Sequence, residues 1–187
     1  MYNENMKILI VSDIHGSYDS ANKIAALNER LNPENIICLG DFNYHGPRNP
    51  IPENYNPKTV VEILNGFKEK MIGVRGNCDA DVDQMLYAFP MMAYLIEMEF
   101  ENHIVTMSHG HKYNEENLPV LKEKGIFMYG HTHLPVAKFE NGHYIFNPGS
   151  ITLPKQNHPR TYGILDNDGL HIYTLEDKLY MEVLFQD

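Results

Sequence analysis

Cysteine is nearly absent from this 187-residue chain: only Cys38 and Cys78 occur, too few for a disulfide framework. Basic residues are scarce as well. Lys and Arg number 15 against 25 Asp and Glu, a formal net charge of −10. So acidic a surface repels phosphate backbones and argues against a nucleic-acid binder that works by charge neutralisation. A small phosphate ester is not excluded, because a bound cation reverses the local field. No apolar stretch approaches the ~18 residues of a membrane span. The opening MYNENMKILIV joins a polar start to a brief apolar run without a small-residue cleavage site, so no signal peptide is expected and a cytoplasmic location is. Repeats, low-complexity tracts and linkers are missing too. With 43% hydrophobic and 21% charged residues, the composition is that of one globular domain over 1–187.

What the chain has in excess is histidine: ten, several in tight pairs beside Asp, Asn and Gly. The hydrophobic pattern says where they fall. Short apolar runs predict strands at 7–11, 36–39 and 71–74, separated by a helix from Ser17 or Asp19 to about Leu31 and a second over 59–70. Residues 43–57, with four prolines and four asparagines, predict an irregular surface loop. Further on, strands are expected at 95–100, 103–107, 126–129, 136–139, 144–146, 162–165, 171–175 and 179–185, with a short helix over 115–124. Asn141-Gly142 is a strong hairpin signal. The tail 182–186 (EVLFQ) resembles a protease recognition site, but its alternation fits a closing strand. The order βαβαβ followed by mostly antiparallel strands suggests an α/β protein of two face-to-face sheets with helices outside.

Five of the apolar runs end in residue types that bind metals: ILIVSDIH (Asp13, His15), IICLGD (Asp41), MIGVRGNCD (Asn77, Asp79), IVTMSHGH (His109, His111) and IFMYGHTH (His131, His133). A sixth, YIFNPGS, ends in Asn147-Pro148-Gly149-Ser150, expected to be a tight turn supporting the neighbouring His-Thr-His. Any one of these alone reads as turn chemistry. All of them share one position relative to their strands, and in open α/β sheets the functional crevice lies beyond the carboxyl ends of the strands. The mixed oxygen and nitrogen set without thiolate disfavours a closed structural zinc site. Two Asp, one Asn and four His among them, seven donors, exceed what one ion takes from a protein and suit two ions sharing a carboxylate. Mn²⁺ is the leading candidate, with Fe, Ni, Co or Zn open.

The ordered string D-x-H, G-D, G-N, H-G-H, G-H-T-H resembles the signature of the calcineurin-like metallophosphoesterases. The stretches GPRN, VRGNCD, VDQML, GHTHLPVA, FNPGS and LDND extend the resemblance to a bacterial phosphodiesterase subgroup over essentially the whole chain. The resemblance implies a four-layer α/β/β/α sandwich. It also implies that Asp13, His15 and His133 bind one metal, that Asp41 bridges, and that Asn77, His109 and His131 complete the second site. The reaction so implied is phosphodiester hydrolysis by attack of a metal-bridging hydroxide, with a small phosphodiester as substrate.

Other positions are candidates of lower specificity. Arg48 is a candidate phosphate ligand, whereas Arg75 is expected to pair with a local carboxylate or lie exposed. His45, in the proline-rich loop, is a candidate to reach the substrate, with a plain surface histidine as the alternative. Many relatives carry G-N-H-D or G-N-H-E where this chain has Cys78; a thiol is the poorer proton donor near neutrality, so good leaving groups are expected to be preferred. Cys78 simply packing is the alternative. Asp79 and His111 complete the catalytic candidates, His111 either donating a proton or orienting His109. The stretch 85–98, rich in Met, Tyr and Phe, is expected to pack in the core, a homo-oligomer interface being the alternative. The competing functions are a phosphomonoesterase or nuclease on the same site, and a non-catalytic scaffold of this fold.

Overall fold

A computed structural model describes residues 6–186. The run Ile8–Val11 forms β1, apolar at every position because it is buried on both faces. Ser17 caps α1 (Tyr18–Leu31), its side chain accepting from Ser20 N–H. Then come β2 (Asn35–Cys38), α2 (Pro57–Asn65) capped by Asn56, and β3 (Met71–Gly73). Helix α2 starts and stops earlier than its apolar spacing suggests. Pro57 opens it, Gly66 ends it, and only a 3₁₀ turn, Lys68–Lys70, follows. A single helical turn, α3 (Asp81–Gln84), was not expected from the pattern.

The second part is nearly all strand: β4 (Ile96–Phe100), β5 (His103–Met107), β6 (Ile126–Met128), β7 (Pro135–Glu140), β8 (His143–Pro148), β9 (Thr161–Asp166), β10 (Gly169–Thr174) and β11 (Leu179–Leu184). Two mixed sheets result, of order β11-β10-β9-β1-β2-β3 and β4-β5-β6-β8-β7. Strands β1, β2 and β3 run parallel, as do β5, β6 and β8, so their carboxyl ends collect at one edge of each sheet.

Side-chain alternation sorts the apolar residues into layers. Ile8, Ile10, Ile37 and Leu39 meet Val105, Met107, Ile126, Met128, Tyr144 and Phe146 between the sheets. Leu9, Val11, Ile36 and Cys38 face the other way, against Ala21, Ile24 and Leu27 of α1 and Val60 and Leu64 of α2. Phe127, Tyr129 and Ile145 form the outer face of the second sheet.

That outer face holds the main correction to the sequence reading. Residues 115–124 are not a helix; Tyr113 and Leu121 of an irregular segment cover the face instead. Glu115 ties it down by accepting from Tyr129 Oη and pairing with Lys138. The stretch 85–98 is divided: Tyr87, Phe89 and Met91 are buried, whereas Met85 and Leu86 are exposed. The EVLFQ tail enters the sheet, with Val183 opposite Leu170, and Phe185 stacks on His103 of the other sheet at 4.2 Å.

Candidate metal centre

Strands β1, β2 and β3 of one sheet and β5 and β6 of the other deliver their following residues to one place. Asp13 and His15 come from β1, Asp41 from β2, Asn77 from β3, His109 from β5, and His131 and His133 from β6. The glycines in the motifs make the convergence possible. A Cβ on Gly40, at φ +97°, would lie 2.7 Å from His109 Nδ1, and one on Gly76 would lie 2.3 Å from Asp41 N. Five of the seven donors themselves adopt left-handed backbone: Asp13, His15, Asp41, His131 and His133, with φ between 51° and 66°. Asp and His tolerate this region better than most residues, yet each such position costs about 1 kcal/mol or more.

Three imidazoles are held the same way. Nδ1 of His15, His133 and His109 donates to the carbonyls of Tyr44 (2.8 Å), Leu153 (2.5 Å) and Leu39 (2.6 Å). Each ring thereby keeps a proton on Nδ1 and turns its Nε2 inward. Nε2 of His15 and of His133 consequently face each other at 3.2 Å. Asp13 Oδ1 lies 3.7 Å from the first and 3.3 Å from the second. This oxygen is fully buried and has no hydrogen-bond partner, while Oδ2 accepts from Ser12 Oγ and His131 N. Three acceptors thus point at one another with no donor among them. A cation satisfies all three.

A second group adjoins it. Asp41 Oδ2 is 3.8 Å from His15 Nε2 and 3.4 Å from His109 Nε2, and its Oδ1 accepts from Cys78 N. His109 Nε2 also lies 3.1 Å from Asn77 Oδ1, and the His131 ring stands edge-on to His109 at 5.1 Å. Burial alone would lower the His109 pKa, but the Asp41 carboxylate overrides it and raises it to about 9. Burial likewise opposes ionisation of Asp13, and the surrounding histidines hold its carboxyl well below the usual range. The centre demands positive charge.

The remaining candidates lie around it. Asp79 contributes no donor to the centre; its carboxylate accepts from Asp41 N, Phe42 N and Gly76 N at 2.7–2.9 Å. Burial and Asp41 raise its pKa to about 6. The thiol of Cys78 lies at the cleft, within 4.8 Å of ligand atoms of His15 and Asp41, and burial and the Asp41 carboxylate push its pKa up. The half-buried His111 packs beside His109 and His131 without lining the cleft, its pKa lowered by burial and by those rings to about 4. His45 turns to Tyr44 and Tyr55 and does not line the cleft. Arg48 does line it, whereas Arg75 pairs with Asp81 at 3.2 Å. Asn147 supports the His-Thr-His turn by donating to Gly130 O and Thr132 Oγ1, and Ser150 Oγ donates to Asp13 O.

The cleft above the centre has a volume of about 510 Å³ and is also lined by Asn49, Thr132 and Lys155. Sequence reasoning passed over these three. Thr132, inside G-H-T-H, and Asn49, inside GPRN, lay within motifs; Lys155 carried no signal there.

A two-sheet sandwich with paired carboxylate and imidazole donors at the strand ends defines a phosphoesterase of the metal-dependent kind. The chain belongs to the calcineurin-like phosphoesterase superfamily, whose domain matches residues 6–169. Among curated relatives it is 44% identical over 173 residues to phosphodiesterase YfcE of Escherichia coli strain K12, covering 92% of this chain and 94% of that one. A solved structure of YfcE, characterised as a phosphoesterase from E. coli, superposes with a TM-score of 0.95 at 42% identity, covering 97% of this chain and all of the other. A zinc complex of Vps29 from Entamoeba histolytica shares the fold at 23% identity and a TM-score of 0.63, covering 97% of this chain and all of that one. Among the described residues no helix is long and apolar enough to cross a membrane.

Proposed function

We propose that this chain hydrolyses small phosphodiesters with two divalent cations, Mn²⁺ foremost. Asp13, His15 and His133 would hold one and Asn77, His109 and His131 the other, with Asp41 shared. The observation that carries the reading is the inward convergence of Asp13 Oδ1 and two Nε2 lone pairs, buried and without a donor. When bound, such ions polarise the phosphoryl group and acidify water enough for in-line attack near neutral pH.

The chain's own groups do the rest. Asp41 places negative charge between two neighbouring cation sites, which would otherwise repel strongly. Arg48 lines the cleft, where its charge is available to an anionic group of the substrate. Cys78 stands where a leaving-group acid would be useful, but its raised pKa makes the thiol a reluctant donor. Good leaving groups are therefore favoured.

The test is to strip the protein with chelator, restore single metals, and assay aryl diesters of graded leaving group beside p-nitrophenyl phosphate. The expected result is loss of diester cleavage, recovery foremost with Mn²⁺, rates falling steeply as the leaving group becomes more basic, and slower monoester turnover. Cleavage that survives complete demetallation overturns the reading, and faster monoester turnover replaces it with a phosphomonoesterase.

A further inference from the structure

Two cations in the cleft have no use in the fold. Among the described residues, the side chains of Arg48 and Lys155 have no carboxylate or hydrogen-bond partner, although the chain carries 25 acidic residues against 15 basic ones. Both are exposed, and both line the cleft over the metal centre. By contrast Lys23, Arg30, Arg75 and Lys138 each sit on an aspartate or glutamate. Lys7, Lys58, Lys68 and Lys122 also lack such a partner, but none of them lines the cleft; what distinguishes Arg48 and Lys155 is that they do.

Their backbones are not loose. Arg48 lies on the loop whose Tyr44 carbonyl fixes His15, and Asn49 Nδ2 closes that loop onto His45 O. Lys155 lies two residues after Leu153, whose carbonyl fixes His133, while Ser150 Oγ accepts from both Thr152 N and Leu153 N. Each cation therefore rides on a segment that also positions a donor of the same metal group. The cleft, about 510 Å³, leaves room beyond a single phosphate.

The scissile diester carries a single negative charge, which the two proposed cations would already answer. We propose that Arg48 and Lys155 form a clamp for a second anionic group, so that the preferred substrates are phosphodiesters bearing a further phosphate, phosphonate or carboxylate on the part of the molecule that is not expelled. This rests on the phosphodiesterase reading above.

The test uses two diesters with the same leaving group, p-nitrophenyl phenyl phosphate and p-nitrophenyl p-phosphonophenyl phosphate, on Mn²⁺-loaded protein. The expected kcat/KM for the phosphonate-bearing diester is at least about tenfold the higher, a difference that shrinks in about 0.5 M salt. Lys155→Ala and Arg48→Ala should each bring that ratio most of the way to unity. A ratio near unity in the wild-type protein, or a variant that loses both substrates in equal proportion, overturns the clamp. Calorimetric binding of phenylphosphonate and p-phenylenediphosphonate gives a readout without turnover: the diphosphonate should bind tighter to wild type and lose that advantage in the variants. Should neither diester be cleaved, the phosphodiesterase reading falls, and the binding comparison still decides the clamp by itself.

Discussion

At the scale of single residues, Asp79 shows how a carboxylate outside the donor set governs the centre. It accepts three buried backbone amides, from Asp41, Phe42 and Gly76, and so ties the β2 turn to the β3 turn. Asp79→Ala leaves those amides without an acceptor, at roughly 1–3 kcal/mol for each buried group. Urea unfolding should show a loss of about 3 kcal/mol or more, and metal affinity should drop roughly 10–100-fold because Asp41 loses its support. Asp79→Asn keeps one acceptor oxygen and should recover part of both. A variant with wild-type stability and metal affinity would show that these bonds are replaceable. The donor motifs were legible in sequence because each follows an apolar run, so strand position alone aligned them. Lys155 was not legible, since an isolated lysine in a polar loop looks the same whether or not it overhangs a cleft.

Between elements, the clearest link is Asp177, in the turn from β10 to β11, which pins α1 to the sheet. Its Oδ1 accepts from Arg30 (2.7 Å) and from Tyr162 Oη (2.8 Å), with Lys23 Nζ at 3.5 Å. Burial pushes its pKa up, but Tyr162, Lys23 and Arg30 outweigh that and hold it below the usual value. A carboxyl so depressed stabilises the fold above its unfolded pKa, about 3.9, and the contribution fades as pH falls through the lower folded value. The side chain is 39% exposed, so screening limits the effect to about 1 kcal/mol or less. Asp177→Asn should therefore melt below wild type at pH 7, by an amount that shrinks in strong salt and fades as pH falls through the lowered folded pKa. A pH-independent difference would mean that the contact acts by packing. Elements were read from sequence with uneven success, and 115–124 shows why. Asn114 Oδ1 accepts from Glu116 N and Asn117 N, Asn117 Nδ2 donates to Lys112 O, and Pro119 lacks an amide hydrogen. Side chains thus claim the donors and acceptors that a helix needs, and apolar spacing registers none of this.

For the molecule as a whole, the centre is where the fold stores its strain. Five left-handed donors, a fully buried carboxylate oxygen without a partner, and two opposed imidazole lone pairs lie at the seam of the two sheets. Packing relieves none of these; cations that bind the folded chain alone would satisfy the oxygen and the lone pairs, which the left-handed turns hold in place. Ligand binding of that kind stabilises by about 2.7 kcal/mol per independent site at a free concentration of 100 times Kd. In a domain of this length each kcal/mol moves Tm by roughly 2–4 °C, so each site filled to that level should raise Tm by about 5–10 °C. Scanning calorimetry of chelated and Mn²⁺-loaded protein reads this directly. Asp41→Asn, which keeps an acceptor for Cys78 N while removing the shared charge, should lose most of the rise without losing the fold. Equal melting temperatures with and without Mn²⁺, Co²⁺, Ni²⁺, Fe²⁺ or Zn²⁺ would mean that the strand-end donors do not hold a cation, and that the left-handed turns exist for a different reason.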